Sequence, residues 1–313
     1  MVACVEADRP DDVTADKTDA RVNLNCLAMT MTVDGGYSGE SRSSTPHNPL
    51  YENVIKTIFI MQFDADGVRR VCTPFDERGG SETALRGYEA DLVTAPDCRV
   101  IVLVNFSEEE YTHLYNSISS FHQFQQAYIS LEKFKEADES NDTYLKMMGE
   151  YRGDVVNGAE ANIMLTRYMA RVTVRLKVED TSHVLRNVYV GFINAPRELP
   201  LYPAETADDY PMLSESSVFT PEEMTGHYPM ATVDNTEYDD QHIRYFYVGE
   251  NLSSAESGLQ TQIFVRGETS SGQKYYGLAT MTSLGIVSRN TNYEIRLNAR
   301  FTPSRSLNLE IED

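Results

Sequence analysis

Apolar and polar positions alternate with a period of two along most of this chain, a pattern that predicts strands rather than helices. The first such run is Val22 to Val33, where Leu27, Met29, Met31 and Val33 share one face and Ala28, Thr30 and Thr32 share the other. A linker of small residues follows, Asp34 to Ser41, carrying Gly35, Gly36, Ser38 and Gly39, and it stops at Arg42. Such residues have little to bury and much entropy to lose, so the linker is expected to be mobile and open to a protease. A strand on a cleavable tether is removable, and its loss would leave an open sheet edge. The same pattern also fits an ordinary first strand with a long hairpin loop.

Val54 to Phe63 is almost continuously apolar, as expected for a central strand covered on both faces. Asp64, Ala65, Asp66 and Gly67 turn the chain into a return strand, Val68 to Cys72, and Val100 to Phe106 supplies another core strand. Ser107 ahead of Glu108, Glu109 and Glu110 marks a helix start, so helical segments are expected over 107–136. A polar stretch, 137–162, then sets the expected domain boundary at its end. Beyond it, Ala170, Val172, Val174, Leu176 and Val178 alternate with Arg171, Thr173, Arg175 and Lys177, which predicts one core face and one solvent face.

Further strands are expected at Val184 to Phe192, Ile243 to Val248, Leu259 to Val265, Tyr275 to Met281 and Tyr293 to Phe301, with a long polar excursion, Asn194 to Gln241, between the first two. A final run sets Leu307, Leu309 and Ile311 against Asn308, Glu310 and Glu312. Short strands with Gly, Ser and Asn turns between them predict a mainly β protein of sandwich type, with a short helical insertion in its first half. The domains so read are 21–162 and 163–313, after a tether at 1–20.

The 313 residues, 41% of them hydrophobic, suffice for two cores. A formal charge of -21 repels phosphate backbones and anionic headgroups, so nucleic acid is excluded as a natural partner. Cys26, Cys72 and Cys98 lie in or beside strand-like runs without metal-ligand spacing, which leaves buried thiols or one disulfide. Cys4 differs. It follows Val2 and Ala3 and precedes the polar stretch Glu6 to Asp19, like the end of a bacterial lipobox and its tether; on this reading a signal peptide preceded it and a lipid on Cys4 anchors the chain to the outer membrane.

The histidines at 47, 113, 122, 183, 227 and 242 are scattered, so neither a metal nor a cofactor is assigned. Gly36-Tyr37-Ser38-Gly39 lacks the spacing of a nucleophile elbow, and Asp64, Asp66 and Gly67 mimic a calcium loop but meet Phe75 where the closing glutamate belongs. Asp208 with Asp209, and Asp239 with Asp240, are carboxylate pairs of the kind any acidic chain carries. No catalytic set converges, and the chain reads as a non-enzyme. Tyr202, Tyr210, Tyr228 and Tyr238 on the polar excursion offer stacking surfaces for a glycan or host protein.

Leu165-Thr166-Arg167 with the strand Met169 to Val178 resembles the start of the second domain of the fimbrillins, pilin-like proteins of Bacteroidales fimbriae. It is joined in order by Tyr51-Glu52-Asn53-Val54-Ile55 leading to Phe63-Asp64-Ala65-Asp66-Gly67, by Val100 to Asn105, by Tyr247 to Leu252 and by Ser288 to Ile295, so the resemblance covers nearly the whole chain. It implies two transthyretin-like β-sandwich domains exported as a lipoprotein to the cell surface. It also implies that an arginine-directed protease cuts after the first strand, which places the cut at Arg42 and makes Leu27, Met29, Met31 and Val33 the side chains of the strand lost. The vacated groove would take a strand from a neighbouring subunit, with Leu307, Leu309 and Ile311 as the candidate donor. The alternatives are a tip or anchor subunit that keeps its first strand, or a surface lipoprotein that binds glycan or host protein.

Overall fold

The structure, a computed structural model, describes residues 17–18, 20–26, 30–33, 37–39, 50–78, 82–131, 144–204, 210, 213–227, 232–235, 245–253, 258–281 and 286–311. The N-terminal stretch carries β1 (Lys17–Thr18), β2 (Arg21–Cys26), β3 (Thr30–Val33) and β4 (Tyr37–Gly39). Then come β5 (Thr57–Phe63), β6 (Arg69–Cys72), β7 (Asp76–Glu77), β8 (Ala84–Glu89), β9 (Leu92–Val93) and β10 (Ala95–Val104). Helices α1 (Glu108–Ser117) and α2 (Phe121–Gln126) precede β11 (Tyr128–Ser130), β12 (Met147–Val155) and β13 (Glu160–Arg167). The remainder holds β14 (Met169–Val178), β15 (Leu185–Ile193), β16 (Glu198–Pro200), β17 (Thr225–His227), β18 (Thr232–Val233) and β19 (Tyr245–Gly249). Last come β20 (Gln262–Glu268), β21 (Lys274–Thr280), β22 (Thr291–Phe301) and β23 (Leu307–Ile311).

Two units divide the chain. The first takes Met1–Leu27, Pro49–Ala127 and Tyr144–Arg167, and the second takes Ala28–Asn48, Tyr128–Thr143 and Tyr168–Asp313. The long-range boundary thus falls between Arg167 and Tyr168, five residues beyond the sequence-based one, because β13 pairs with β2 and β12 along its length before the chain crosses.

In the first unit the strand order is β6-β5-β10-β12-β13-β2-β8, with β7 also on β5. β12 meets β13 only through Met147 and Met148, so the path bends there into two arms. One arm supplies Ile58, Ile60, Val100, Val102 and Val104 to the core, and the other supplies Val22, Leu24, Leu85, Ile163 and Leu165 to the same cluster. β5 is buried on both faces, as its unbroken apolar run predicts. The reason is aromatic: Phe59 meets Tyr111 of α1 edge-on at 5.0 Å, and Phe63 meets Phe121 of α2 at 5.6 Å. Ser107 caps α1 as expected, its hydroxyl accepting from the Glu110 amide at 3.2 Å while the Glu110 carboxylate accepts from the Ser107 amide at 2.9 Å. The helices end sooner than expected. After Ala127 the chain enters β11, which pairs with β16 in the second unit.

That unit contains a sheet ordered β19-β14-β22-β3-β4, with β23 also on β22, and another ordered β17-β15-β20-β21, with β18 on β15. Phe192 of the second sheet meets Phe246 of the first at 5.3 Å, so the inner faces pack on one another. The apolar side of β14 is buried as its alternation predicts, but the solvent face expected for Arg171, Thr173 and Arg175 is buried too. Neighbouring strands cover it with matching polar groups: Arg175 pairs with Glu294 of β22 at 2.9 Å, and Arg171 donates to Asn292 at 3.0 Å.

Candidate functional site

The N-terminal strands define the candidate site, because each of them completes a sheet made by distant parts of the chain. β1 pairs with β9 through Lys17 and Thr18. β2 lies between two partners: it runs parallel to β13, with Val22 opposite Ala161 and Leu24 opposite Ile163, and antiparallel to β8, with Val22 opposite Tyr88. Its alternation has a direct consequence. Val22 and Leu24 are buried in the core of the first unit, whereas Arg21 is exposed and reaches Glu89 at 3.4 Å.

Asn23, facing away from that core, holds both neighbours. Its Nδ2 donates to Glu160 Oε1 at 2.6 Å and to Asn162 Oδ1 at 3.1 Å on β13, and its Oδ1 accepts from the Gly87 amide at 2.8 Å on β8. Gly87 sits where β8 shifts register against β2, at a φ of +60° that a glycine adopts without strain. β8 has no strand partner other than β2 among the described residues. Removing β2 would therefore open the backbone groups of two strands at once.

β3 sits differently. It runs parallel to β22, from Thr30 opposite Thr291 to Val33 opposite Glu294, and its other side carries β4. β23 occupies the next stretch of that same side of β22, antiparallel, from Ile311 opposite Leu297 to Leu307 opposite Phe301. The two strands approach from opposite ends and leave Ile295 and Arg296 between them. Leu307 and Leu309 are buried, and Ile311 is half-buried.

The run Val22 to Val33, expected as one strand, is thus two. β2 belongs to the first unit and β3 to the second. Tyr37–Gly39, expected as linker, forms β4. Leu27, Met29, Arg42 and Cys4 lie outside the described residues, and Met31 and Val33 are placed by backbone register alone. Alternation missed Val22 and Leu24 as principal core contacts; the apolar, polar, apolar order of Val22-Asn23-Leu24 carries that signal.

Beyond the linker the chain is anchored again. Arg167, buried, donates from Nε to the Glu52 carbonyl at 3.0 Å and from its guanidinium to the Asn53 side chain. Beside it Cys26 Sγ approaches the Asn53 carbonyl at 3.3 Å, and burial pushes its thiol pKa up, as it does for Cys98. No disulfide joins Cys26, Cys72 and Cys98 among the described residues.

Catalytic and metal chemistry finds no geometry among the described residues. Asp64 closes a hairpin turn, its carboxylate accepting from the amides of Asp66 at 3.0 Å and Val68 at 2.8 Å and pairing with Arg70 at 2.7 Å. An open cleft of about 690 Å³ beside that turn is lined by charges such as Arg99 and Arg152, which both bind Glu150. Asp180, Ser182 and His183 come together, but both oxygens approach His183 Nδ1, at 2.7 and 2.9 Å, whereas a catalytic triad needs the two ring nitrogens on different partners. No group of three His, Cys, Asp or Glu among the described residues is placed to hold a metal ion. Tyr210, expected on a stacking surface, is buried and donates to the Glu250 carbonyl at 2.5 Å, while Tyr228 and Tyr238 lie outside the described residues.

No family model matches the sequence, and no curated protein matches it. The fold matches solved structures over nearly its whole length. A candidate cell-adhesion protein from Parabacteroides distasonis aligns with a TM-score of 0.66 at 15% identity, covering 94% of this chain and 96% of that one. The tip fimbrial protein Mfa3 from Porphyromonas gingivalis, with a C-terminal truncation, aligns at 0.55 and 14% identity, covering 95% of this chain and all (100%) of that one. A fimbrilin from the same organism aligns at 0.54 and 14% identity, covering 94% and 97%. These neighbours are fimbrial and adhesion proteins, not enzymes. The chain has the fold of this fimbrillin-like group.

Proposed function

We propose that this protein is a structural and adhesive subunit of a cell-surface fimbrium, matured by cleavage after Arg42 and polymerised when a neighbour's strand fills the sites its N-terminal segment leaves. One observation carries the reading: a single stretch ahead of Arg42 supplies an interior strand to the first unit and the β3-β4 hairpin at the sheet edge to the second. Its removal leaves unpaired amides and carbonyls on β8, β13 and β22, together with the space vacated by Val22 and Leu24. An extended segment from another subunit satisfies those groups and places alternate side chains in that space. Head-to-tail repetition of this contact grows an open filament.

β23 is the proposed donor, and donation requires it to leave β22, where Leu307 and Leu309 are buried. On this reading the two units would be transthyretin-like sandwiches, and a lipid on Cys4 would hold the precursor at the outer membrane until the cut. Intact mass measurement of the native precursor reads that lipid directly, and an unmodified Cys4 thiol refutes it.

A second reading, a tip or anchor subunit that keeps its first strand, draws on the grip of Asn23 on both neighbours of β2. Digestion with an arginine-specific protease separates the two. The stalk reading expects a new N terminus at Ser43, release of residues 1–42 and appearance of polymer; a resistant linker, or a cut product that never polymerises, removes it.

A further inference from the structure

The outer face of the sheet β17-β15-β20-β21 carries a cluster that the strand-exchange reading does not use. Tyr276 and Leu278 of β21 are 61% and 48% exposed, although both are large. They point outward because the opposite positions must be small: a Cβ on Gly277 would lie 2.5 Å from the Leu307 carbonyl oxygen, so the inner face of β21 rests directly on β23. Register then builds rows across the strands. Tyr189, Arg266 and Tyr276 stand opposite one another on β15, β20 and β21, and Phe264 stands opposite Leu278 in the next row. Adjacent strands are about 4.8 Å apart, so the three residues of the first row span roughly 10 Å on an open sheet surface. The Arg266 guanidinium lies over the Tyr189 ring at 4.5 Å.

Charge sets this face apart within an acidic protein. Elsewhere in the second unit Arg175, Arg197, Arg289, Arg296 and Arg300 each meet a carboxylate. Arg186, Arg266 and Lys274, all on the outer face of β15, β20 and β21, meet none among the described residues. Glu268 stands opposite both Arg186 and Lys274 in the neighbouring row of the same face, and its carboxylate accepts a hydrogen bond from Asn187. In a chain of charge -21, three cations against the Glu268 carboxylate leave a local positive excess beside exposed aromatic and aliphatic side chains. Screening over about 8–10 Å at physiological salt keeps the distant carboxylates from cancelling it.

We propose that this face docks an anionic polysaccharide. Sugar rings lie over the row of Tyr189, Arg266 and Tyr276, and the carboxylate or sulfate groups are taken by Arg186, Arg266 and Lys274. A guanidinium held over a ring still has N–H groups for two-point contact with an oxyanion, which a lysine cannot make. The site needs neither cleavage at Arg42 nor strand exchange, so it goes beyond the fimbrial reading and stands apart from it.

The test is binding of the intact chain to polygalacturonate and to heparin, with dextran as the neutral control, at low and high salt. The platform predicts binding to at least one polyanion, weakened by salt, and none to dextran. Arg266→Glu with Lys274→Glu should weaken it about tenfold or more. Tyr276→Ala should weaken it about fivefold while leaving the salt dependence unchanged. Arg305→Glu, the same charge change at an unpaired arginine off the platform, should leave affinity unaltered, and matching unfolding curves for all variants exclude loss of the fold. Absence of polyanion binding by the unaltered chain, or equal weakening by Arg305→Glu, overturns the proposal. So does sedimentation showing self-association that the platform substitutions abolish while polyanion binding is missing, since the face would then join two copies of the chain.

Discussion

β2 and β3 sit a few residues apart in one segment, yet they are held in opposite ways. β2 is paired on both sides, buries Val22 and Leu24, and is clamped by Asn23 to β13 and β8. β3 pairs with β22 over four residues, and its other side carries only β4. Under the proposed cleavage after Arg42 the difference assigns roles: β3 and β4 would form the half that the cut frees readily, and β2 the half that sets how slowly the segment leaves. Cleavage and exchange are then separate events, and a nicked subunit holding β2 is an expected intermediate.

The largest test of that asymmetry is Leu24→Ala. A fully buried leucine truncated to alanine costs about 2–5 kcal/mol, so chemical denaturation should show the first unit destabilised by that order, and release of the segment after nicking should accelerate in proportion. If release does not change, β2 is not the holding element. Asn23→Ala removes contacts to both neighbours at a half-buried position and should cost roughly 1 kcal/mol. Hydrogen exchange should then show faster opening of β2 with β3 unaltered; equal effects on both strands would erase the distinction between them.

The smallest effect is a titration. Tyr88, opposite Val22 on β8, has its pKa pushed up to about 12, first by burial and then by the charge of Asp76. A raised tyrosine pKa means that the unfolded chain ionises first, at its ordinary value near 10. The contribution to stability is therefore complete below about pH 10 and is lost as pH rises through about 12. Tyr88→Phe should flatten its share of that loss in denaturation curves taken across the window. Compared with the intact protein, a chain from which β2 has been released should show phenolate formation at Tyr88 moved toward its ordinary range in absorbance titration; an unchanged titration would mean that β2 does not shield it.

The strands were legible from sequence where alternation or unbroken apolar runs met a simple environment. Val54 to Phe63 announced burial on both faces, and aromatic side chains of α1 and α2 supply the second cover. The Ser107 cap was equally plain. The change of units within Val22 to Val33 is written as a change of phase, with apolar side chains at Val22, Leu24 and Cys26 and then at Leu27, Met29, Met31 and Val33, which a reading of the run as one continuous strand passes over. Alternation could not show that Arg171 and Arg175 are buried, since that depends on Glu294 and Asn292 arriving from a strand more than a hundred residues away. At β21 the outward row was encoded after all, in the small Gly277 and Ala279 that alternate with the large Tyr276 and Leu278, but the reason for that order lies in the close approach of β23. Tyr210 misled for the complementary reason: a tyrosine in a polar stretch looks exposed until a buried carbonyl receives its hydroxyl.

The most direct test of the removable segment is the N-terminal residue of this protein recovered from assembled fimbriae, read by Edman degradation or terminal-peptide mass spectrometry. The account predicts that the chain begins at Ser43 and that no peptide from β2 remains. Assembled subunits that begin ahead of Arg42 and still contain Val22 and Leu24 would contradict it.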